Sequence, residues 1–364
     1  MLEQTLLDTI SRCTTDRFST ADIKKLFEVA RANLPRTTVI KIDAKKAGIA
    51  RPLLIGPKNS FLLMIDTKCG DIRVGKGDAK VAMFAIDLST AQQKIVTVSK
   101  RSLCTPMKWE TLNHEIAILG RLKGIPEILQ LELSLITDDE CYMITNYCNG
   151  GQLLTQIGLG NLDARECLLI ALDIAKGIKE LHSRSLIHRD LKPHNIFLHE
   201  ETGRPIQAVI GDLGTVCDQT DMEALKQLFG NPLWISPEKA KVLASTMTPE
   251  EQIPFWQQAT TVKDDIWTLG TLFFILFRGG VLSWQLSQSA AEPATETVRR
   301  CAKLVQENVS ENIRQSHLPP QLIPLIDGML RVDPIQRLNA DEVYDQLRVI
   351  SEDFDGFKPS NTTY

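Results

Sequence analysis

The chain has 364 residues, enough for two compact units with a sizeable core, and its 43% apolar and 24% charged composition is that of a folded, water-facing protein. A net charge of −4 gives no basis for wholesale nucleic-acid binding, although residues 1–60 carry eleven Lys/Arg against six Asp/Glu. The eight cysteines are scattered with no C-x-x-C pair, which excludes a disulfide framework or a zinc ribbon, and MLEQTLLDTISRC lacks the basic and apolar regions of a secretory signal.

In chain order, residues 1–34 read as helical, with STADIKKLFEVARANL starting at a Ser/Thr/Asp cap region and stopping before Pro35. From 37 to 100 the pattern changes to short β-branched runs, TTVIKID, SFLLMID, GDIRVG, KVAMFAID and KIVTVSK, as in an antiparallel sheet. A helix is expected around 108–122, then strands at 128–135 and 141–147. Beyond CNGGQL the chain turns mainly helical. DARECLLIALDIAKGIKELHS opens on an Asp163…Glu166 capping pattern, and its apolar positions 168, 171, 172, 175, 178 and 181 keep helical spacing. Further helices are predicted at 222–229, 264–277, 295–313, 320–330 and 339–350. IWTLGTLFFILF (266–277) is about half a membrane span and reads as a helix buried on all sides. The fold class is α+β: an N-terminal extension (1–60), a small sheet domain with one helix (61–147), a larger helical domain (148–350) and a flexible tail (351–364).

LIHRDLKPHNIFL (186–198) crowds His188, Arg189, Asp190, Lys192 and Asn195 between apolar flanks. Buried charges must be paired or hydrogen-bonded, so this arrangement suggests polar groups held into a cleft from a rigid base. GDLG places a further carboxylate, Asp212, 22 residues after Asp190.

Together with RVGKGDAKV, VTVSK, NHEIAIL, YMITNYCNGG, WISPEK, DDIWTLG and DPIQR, these segments resemble, in order, the motifs of eukaryotic-type protein kinases from about residue 70 to 350. The resemblance implies a bilobal kinase fold and a serine/threonine protein kinase using ATP with Mg²⁺ or Mn²⁺. It implies a phosphate-holding glycine loop of Gly75, Lys76 and Gly77, with Val81 and Val98 over adenine. Lys100 would be the phosphate lysine, paired with Glu115. Thr145 would be the gatekeeper, followed by a hinge through Asn146 and Cys148. Asp190 would orient the attacking hydroxyl, Lys192 would offset charge on the γ-phosphoryl, and Asn195 and Asp212 would hold the metal through hard oxygens. Glu238 is expected to pair with Arg337, and Asp265 to brace the catalytic loop.

The sequence departs from that pattern at several points. Lys80 stands at the third glycine, Val98 replaces the usual Ala, and Asn231 replaces a Thr. The alternative reading is therefore a pseudokinase acting as a nucleotide-binding scaffold or regulator. The middle and end of the activation segment offer no hydroxyl side chain, so its phosphorylation is expected to be dispensable, with Asp221 or Glu223 filling part of that role. The stretch 239–264 is roughly twice the family's usual spacing; it and residues 1–60 are candidate docking elements for a partner. The expected partners are protein substrates, with no nucleic acid and no transmembrane segment. The expected location is cytoplasmic, or a host cell if the chain is an exported bacterial protein.

Overall fold

The computed structural model describes residues 40–41, 53–55, 61–64, 73–76, 80–87, 90, 92–227, 234–278, 313 and 318–353. The helices expected before Pro35, all but one residue of that at 295–313, Gly77, Asn231 and the tail beyond 353 lie outside them. The chain divides into two compact units, Met1–Lys123 with Gln130–Tyr147, and Gly124–Leu129 with Cys148–Tyr364.

The first unit is an antiparallel sheet with one helix. Its strands are β1 (Ile40–Lys41), β2 (Leu53–Ile55), β3 (Phe61–Met64), β4 (Arg73–Lys76), β5 (Lys80–Asp87), β6 (Gln93–Lys100), β7 (Leu131–Ile136) and β8 (Glu140–Asn146). The order across the sheet is β1-β2-β3-β5-β6-β8-β7, with β4 paired separately to β5. Successive side chains on a strand face opposite ways, so register assigns each residue to a face. Met83, Ala85, Val96, Val98, Leu133, Leu135, Tyr142 and Ile144 pack on one face. Cys141 and Met143 pack on the other, against Trp109 and Leu112 of helix α1 (Pro106–Arg121). Thr105 caps α1 by accepting from Lys108 N–H, and Pro106 presets the first turn. The helix buries Trp109, Leu112, Glu115, Ile118 and Leu119, a stripe at three- and four-residue spacing.

The second unit is mainly helical. Its principal elements are β9 (Gly151–Gln152), α2 (Leu153–Leu159), α3 (Ala164–His182), β10 (Leu186–Ile187), β11 (Ile196–His199), β12 (Gln207–Ile210), β13 (Cys217–Asp218), α4 (Met222–Leu225), α5 (Pro237–Ala244), α6 (Pro249–Ala259), α7 (Val262–Arg278), α8 (Ile323–Met329) and α9 (Ala340–Glu352). The Asp163–Glu166 capping box forms as the sequence predicts. Helix α7 is buried on all sides: Ile266, Trp267, Leu269, Leu272, Phe273 and Phe274 have no exposed surface. Each large side chain so buried contributes roughly 1.5–3 kcal/mol of transfer free energy. Gly270 lets α8 approach, since a Cβ there would lie 2.9 Å from the Cβ of Met329. Among the described residues no helix is long and apolar enough to cross a membrane.

Candidate active site

The polar residues of HRDLKPHN are positioned by one buried carboxylate. Asp265, on the first turns of α7, accepts from the backbone N–H groups of His188 (2.7 Å) and Arg189 (2.9 Å). His182 Nε2, at the end of α3, lies 3.0 Å from the same carboxylate. Burial would push the Asp265 carboxyl up, but the hydrogen bond and charge of His182 and the contacts from His188 outweigh it and hold the group below its ordinary range. Arg189 adopts φ 68°, a left-handed conformation costly for a side-chain-bearing residue. Two backbone N–H bonds to a buried anion hold that turn and aim the next residue.

That next residue is Asp190. Its Oδ2 accepts from Lys192 Nζ at 2.6 Å and from Asn195 Nδ2 at 3.2 Å, while its carbonyl takes a second Asn195 Nδ2 bond at 2.8 Å. Both bonds of Asn195 therefore use its nitrogen, which leaves Oδ1 as the atom for a cation. Strands β11 and β12 pair Ile196 with Ile210, and Gly211 N–H donates to the Asn195 carbonyl at 2.8 Å. Asn195 and Asp212 thus emerge at one end of a hairpin. Gly211 must be glycine, because a Cβ would meet the Phe197 ring at 2.7 Å. Asp212 is exposed in a left-handed conformation, φ 55°. An amide oxygen beside a carboxylate suits a hard divalent cation such as Mg²⁺.

In the first unit the expected pairing changes partner. Glu115, 5% exposed on α1, takes Lys80 Nζ at 2.6 Å, whereas Lys100 is exposed. The reason is register. Lys80 pairs with Ser99, and Ser99 with Cys141, so all three share the face covered by α1; Lys100 pairs with Glu140 one position on and turns to the opposite face. The same one-residue shift places the residues expected over adenine on the opposite face from α1. Val81 and Val98 pair with each other, and Val98 packs against Tyr142 and Ile144 on the face away from α1. Ala82 and Thr97 are the residues on the α1 face, in one register row with Met143. Counting G-x-G-x-x-G-x-V from Gly75 puts Lys80 at the third glycine and Ala82 at the valine, a signal that could have found them. Gly75 and Lys76 lie on β4, paired with Ala82 and Val81.

Thr145 is buried on the α1 face, in register with Ile95. The Asn146 side chain accepts from Lys94 at 2.9 Å. Burial pushes the Cys148 thiol up to about 11, so it is not a thiolate at neutral pH.

Residues 213–227 are held by side-chain to backbone bonds from Arg189. Arg189 donates from Nε to the Thr215 carbonyl at 2.5 Å and from Nη1 to the Ala224 carbonyl at 2.7 Å. Asp221 instead caps α4, accepting from the N–H groups of Glu223 and Ala224, and Glu223 pairs with Lys226. The inserted helix α6 closes over the segment: Trp256 Nε1 donates to the Gln227 carbonyl at 3.2 Å, and Gln257 to the Met222 carbonyl at 2.6 Å. Behind these, Arg337 meets Glu238 at 2.8 and 3.0 Å, a bidentate pair. His182 was not foreseen, since nothing local marks the last histidine of a helix as a partner for a residue 83 positions away.

A family model described as protein kinase domain matches residues 71–347. The chain is similar to calcium-dependent protein kinase 20 of Oryza sativa subsp. japonica, 26% identical over 276 residues that cover 75% of this chain and 45% of that protein. It is 28% identical to the serine/threonine-protein kinase PAK mbt of Drosophila melanogaster over 274 residues, 74% of this chain and 38% of that one. With calcium-dependent protein kinase 13 of Arabidopsis thaliana it shares 27% identity over 303 residues, 82% of this chain and 52% of that one. The chain spans about half, or less, of the length of these relatives.

Proposed function

The chain belongs to the protein kinase family, and from that premise we propose that it transfers the γ-phosphoryl group of Mg-ATP to serine or threonine hydroxyls of proteins. The observation that carries the proposal is the Asp190–Lys192–Asn195 cluster, fixed from behind by Asp265. With Oδ2 of Asp190 engaged by Lys192 and Asn195, Oδ1 is the oxygen available to accept the hydrogen of an incoming hydroxyl. Lys192 offsets negative charge as the phosphoryl group moves to the acceptor oxygen. Asn195 Oδ1 and Asp212 would hold the divalent cation, which when bound would neutralise phosphate charge. The acceptor class rests on Lys192 within DLKP and on the printed names of relatives. A soluble, water-facing enzyme acting on protein substrates fits this reading.

The test is transfer of labelled γ-phosphate from Mg-ATP to the protein itself and to generic protein substrates, with Asp190→Asn as control. Label on serine and threonine that disappears in the variant is the expected result. A folded wild type that binds ATP without transferring phosphate would instead make the chain a nucleotide-binding scaffold.

A further inference from the structure

Glu115 sits almost wholly out of water on α1, and a buried carboxylate without a cation is strongly disfavoured. Its cation is Lys80, the first residue of β5, and not a residue of β6. On β6 the position that faces α1 in that row is Ser99, 1% exposed and uncharged. Lys100 points away from that face. Lys80 also follows the glycine segment directly, and its side chain keeps 36% of its surface while Glu115 keeps 7%. A cation anchored by a buried anion while part of its side chain stays exposed to solvent is poised to take a second anion.

We propose that Lys80, held by Glu115, is the cation that meets the phosphates of the nucleotide, and that Lys100 takes no part. The proposal rests on the kinase reading and changes which strand supplies the lysine. With a long side chain on β5, the lysine side chain on β6 is replaced by a buried serine hydroxyl. Gly75 and the phosphate cation then belong to one pair of hydrogen-bonded strands, β4 and β5.

The experiment compares the binding of Mg-ATP and of adenosine to the wild type, Lys80→Met, Lys100→Met and the double variant Lys80→Met/Glu115→Met, by calorimetry on the full chain. Adenosine shares the base and ribose but lacks phosphates, so the ratio of the two affinities reports phosphate contact alone. Lys80→Met leaves Glu115 unpartnered by this lysine and can destabilise the unit; the double variant removes both charges and keeps the test valid, with thermal unfolding confirming that it folds. Loss of a charge-assisted contact should weaken Mg-ATP roughly ten- to a hundredfold in both Lys80 variants and leave adenosine unchanged. Lys100→Met should bind both ligands as the wild type does. A folded double variant that keeps the wild-type ratio, or a loss confined to Lys100→Met, overturns the assignment while leaving the kinase reading intact. A wild type that binds neither ligand overturns the kinase reading, and this proposal with it.

Discussion

Asp265 shows how much of the site hangs on one side chain. Its two oxygens satisfy two consecutive backbone N–H groups and His182, and so fix a left-handed Arg189 just before the proposed base. Asp265→Asn keeps the size but leaves one of those buried donors facing an amide NH₂. It should cost about 1–3 kcal/mol of stability and lower kcat with little change in KM for ATP, read by denaturant unfolding beside steady-state kinetics. Asp173 on α3 gives the opposite electrostatic case. Burial is the main reason its carboxyl rises from 3.8 to about 6, against the Ala208 N–H bond that lowers it. The folded protein therefore keeps a proton that the unfolded chain has lost, and stability falls as pH rises through that window. The full penalty, of the order of 3 kcal/mol, is present above about pH 6 and absent below the ordinary value. Asp173→Asn, which keeps an acceptor for Ala208, should raise the unfolding midpoint at pH 8 and leave it unchanged near pH 4. Asp190, Lys192, Asn195 and Asp212 were legible because their spacing lies within one loop and one hairpin. The expected Lys100–Glu115 pair does not form, because a motif carries no register and it is Ser99, not Lys100, that faces the helix.

Capping boxes start several helices of the second unit. Thr248 and Glu251 close the box that starts α6, as Asn339 and Glu342 do for α9. What α6 does was not legible, because Phe255 and Trp256 are neighbours of equal apolar character. Helical rotation separates them: Trp256 is 1% exposed, with Lys239 Nζ over its ring at 4.9 Å, while Phe255 is 48% exposed. The insertion is therefore a packed element through Trp256, which also reaches the activation segment. Trp256→Ala should cost about 3–5 kcal/mol, and amide exchange across 217–227 should quicken more than across α9. Phe255→Ala should stay within about 0.5 kcal/mol of the wild type and leave that exchange unchanged. Equal exchange in the two variants would mean that α6 does not restrain the segment. The helix predicted at 222–229 forms as the shorter α4, Met222–Leu225, capped by Asp221 and held at the Ala224 carbonyl by Arg189.

Across the second unit, order over long sequence distance is kept by ions as well as by apolar packing. Arg337 has no exposed side-chain surface and spends its guanidinium on Glu238, on the carbonyls of Arg331 and Lys263, and on the Trp267 ring at 5.2 Å. The pair joins residues 99 apart, and it was legible only as an ordered motif, since nothing local to either residue names the other. Glu238 keeps 16% of its side-chain surface, so the two single deletions are not equivalent. Arg337→Ala removes all these bonds at once and strands a carboxylate and two carbonyls; it should cost about 3–5 kcal/mol. Glu238→Ala leaves Arg337 its two carbonyls and the ring but strands a wholly buried guanidinium without its counter-charge, so it should also be strongly destabilising. A double variant, Glu238→Leu/Arg337→Met, removes both charges and refills the space, and should recover part of the loss, because desolvating an ion pair offsets much of its attraction. Denaturant unfolding of these four proteins ranks their stabilities. A double variant no more stable than Arg337→Ala would show that Arg337 acts through its backbone carbonyl bonds and its ring contact rather than through Glu238.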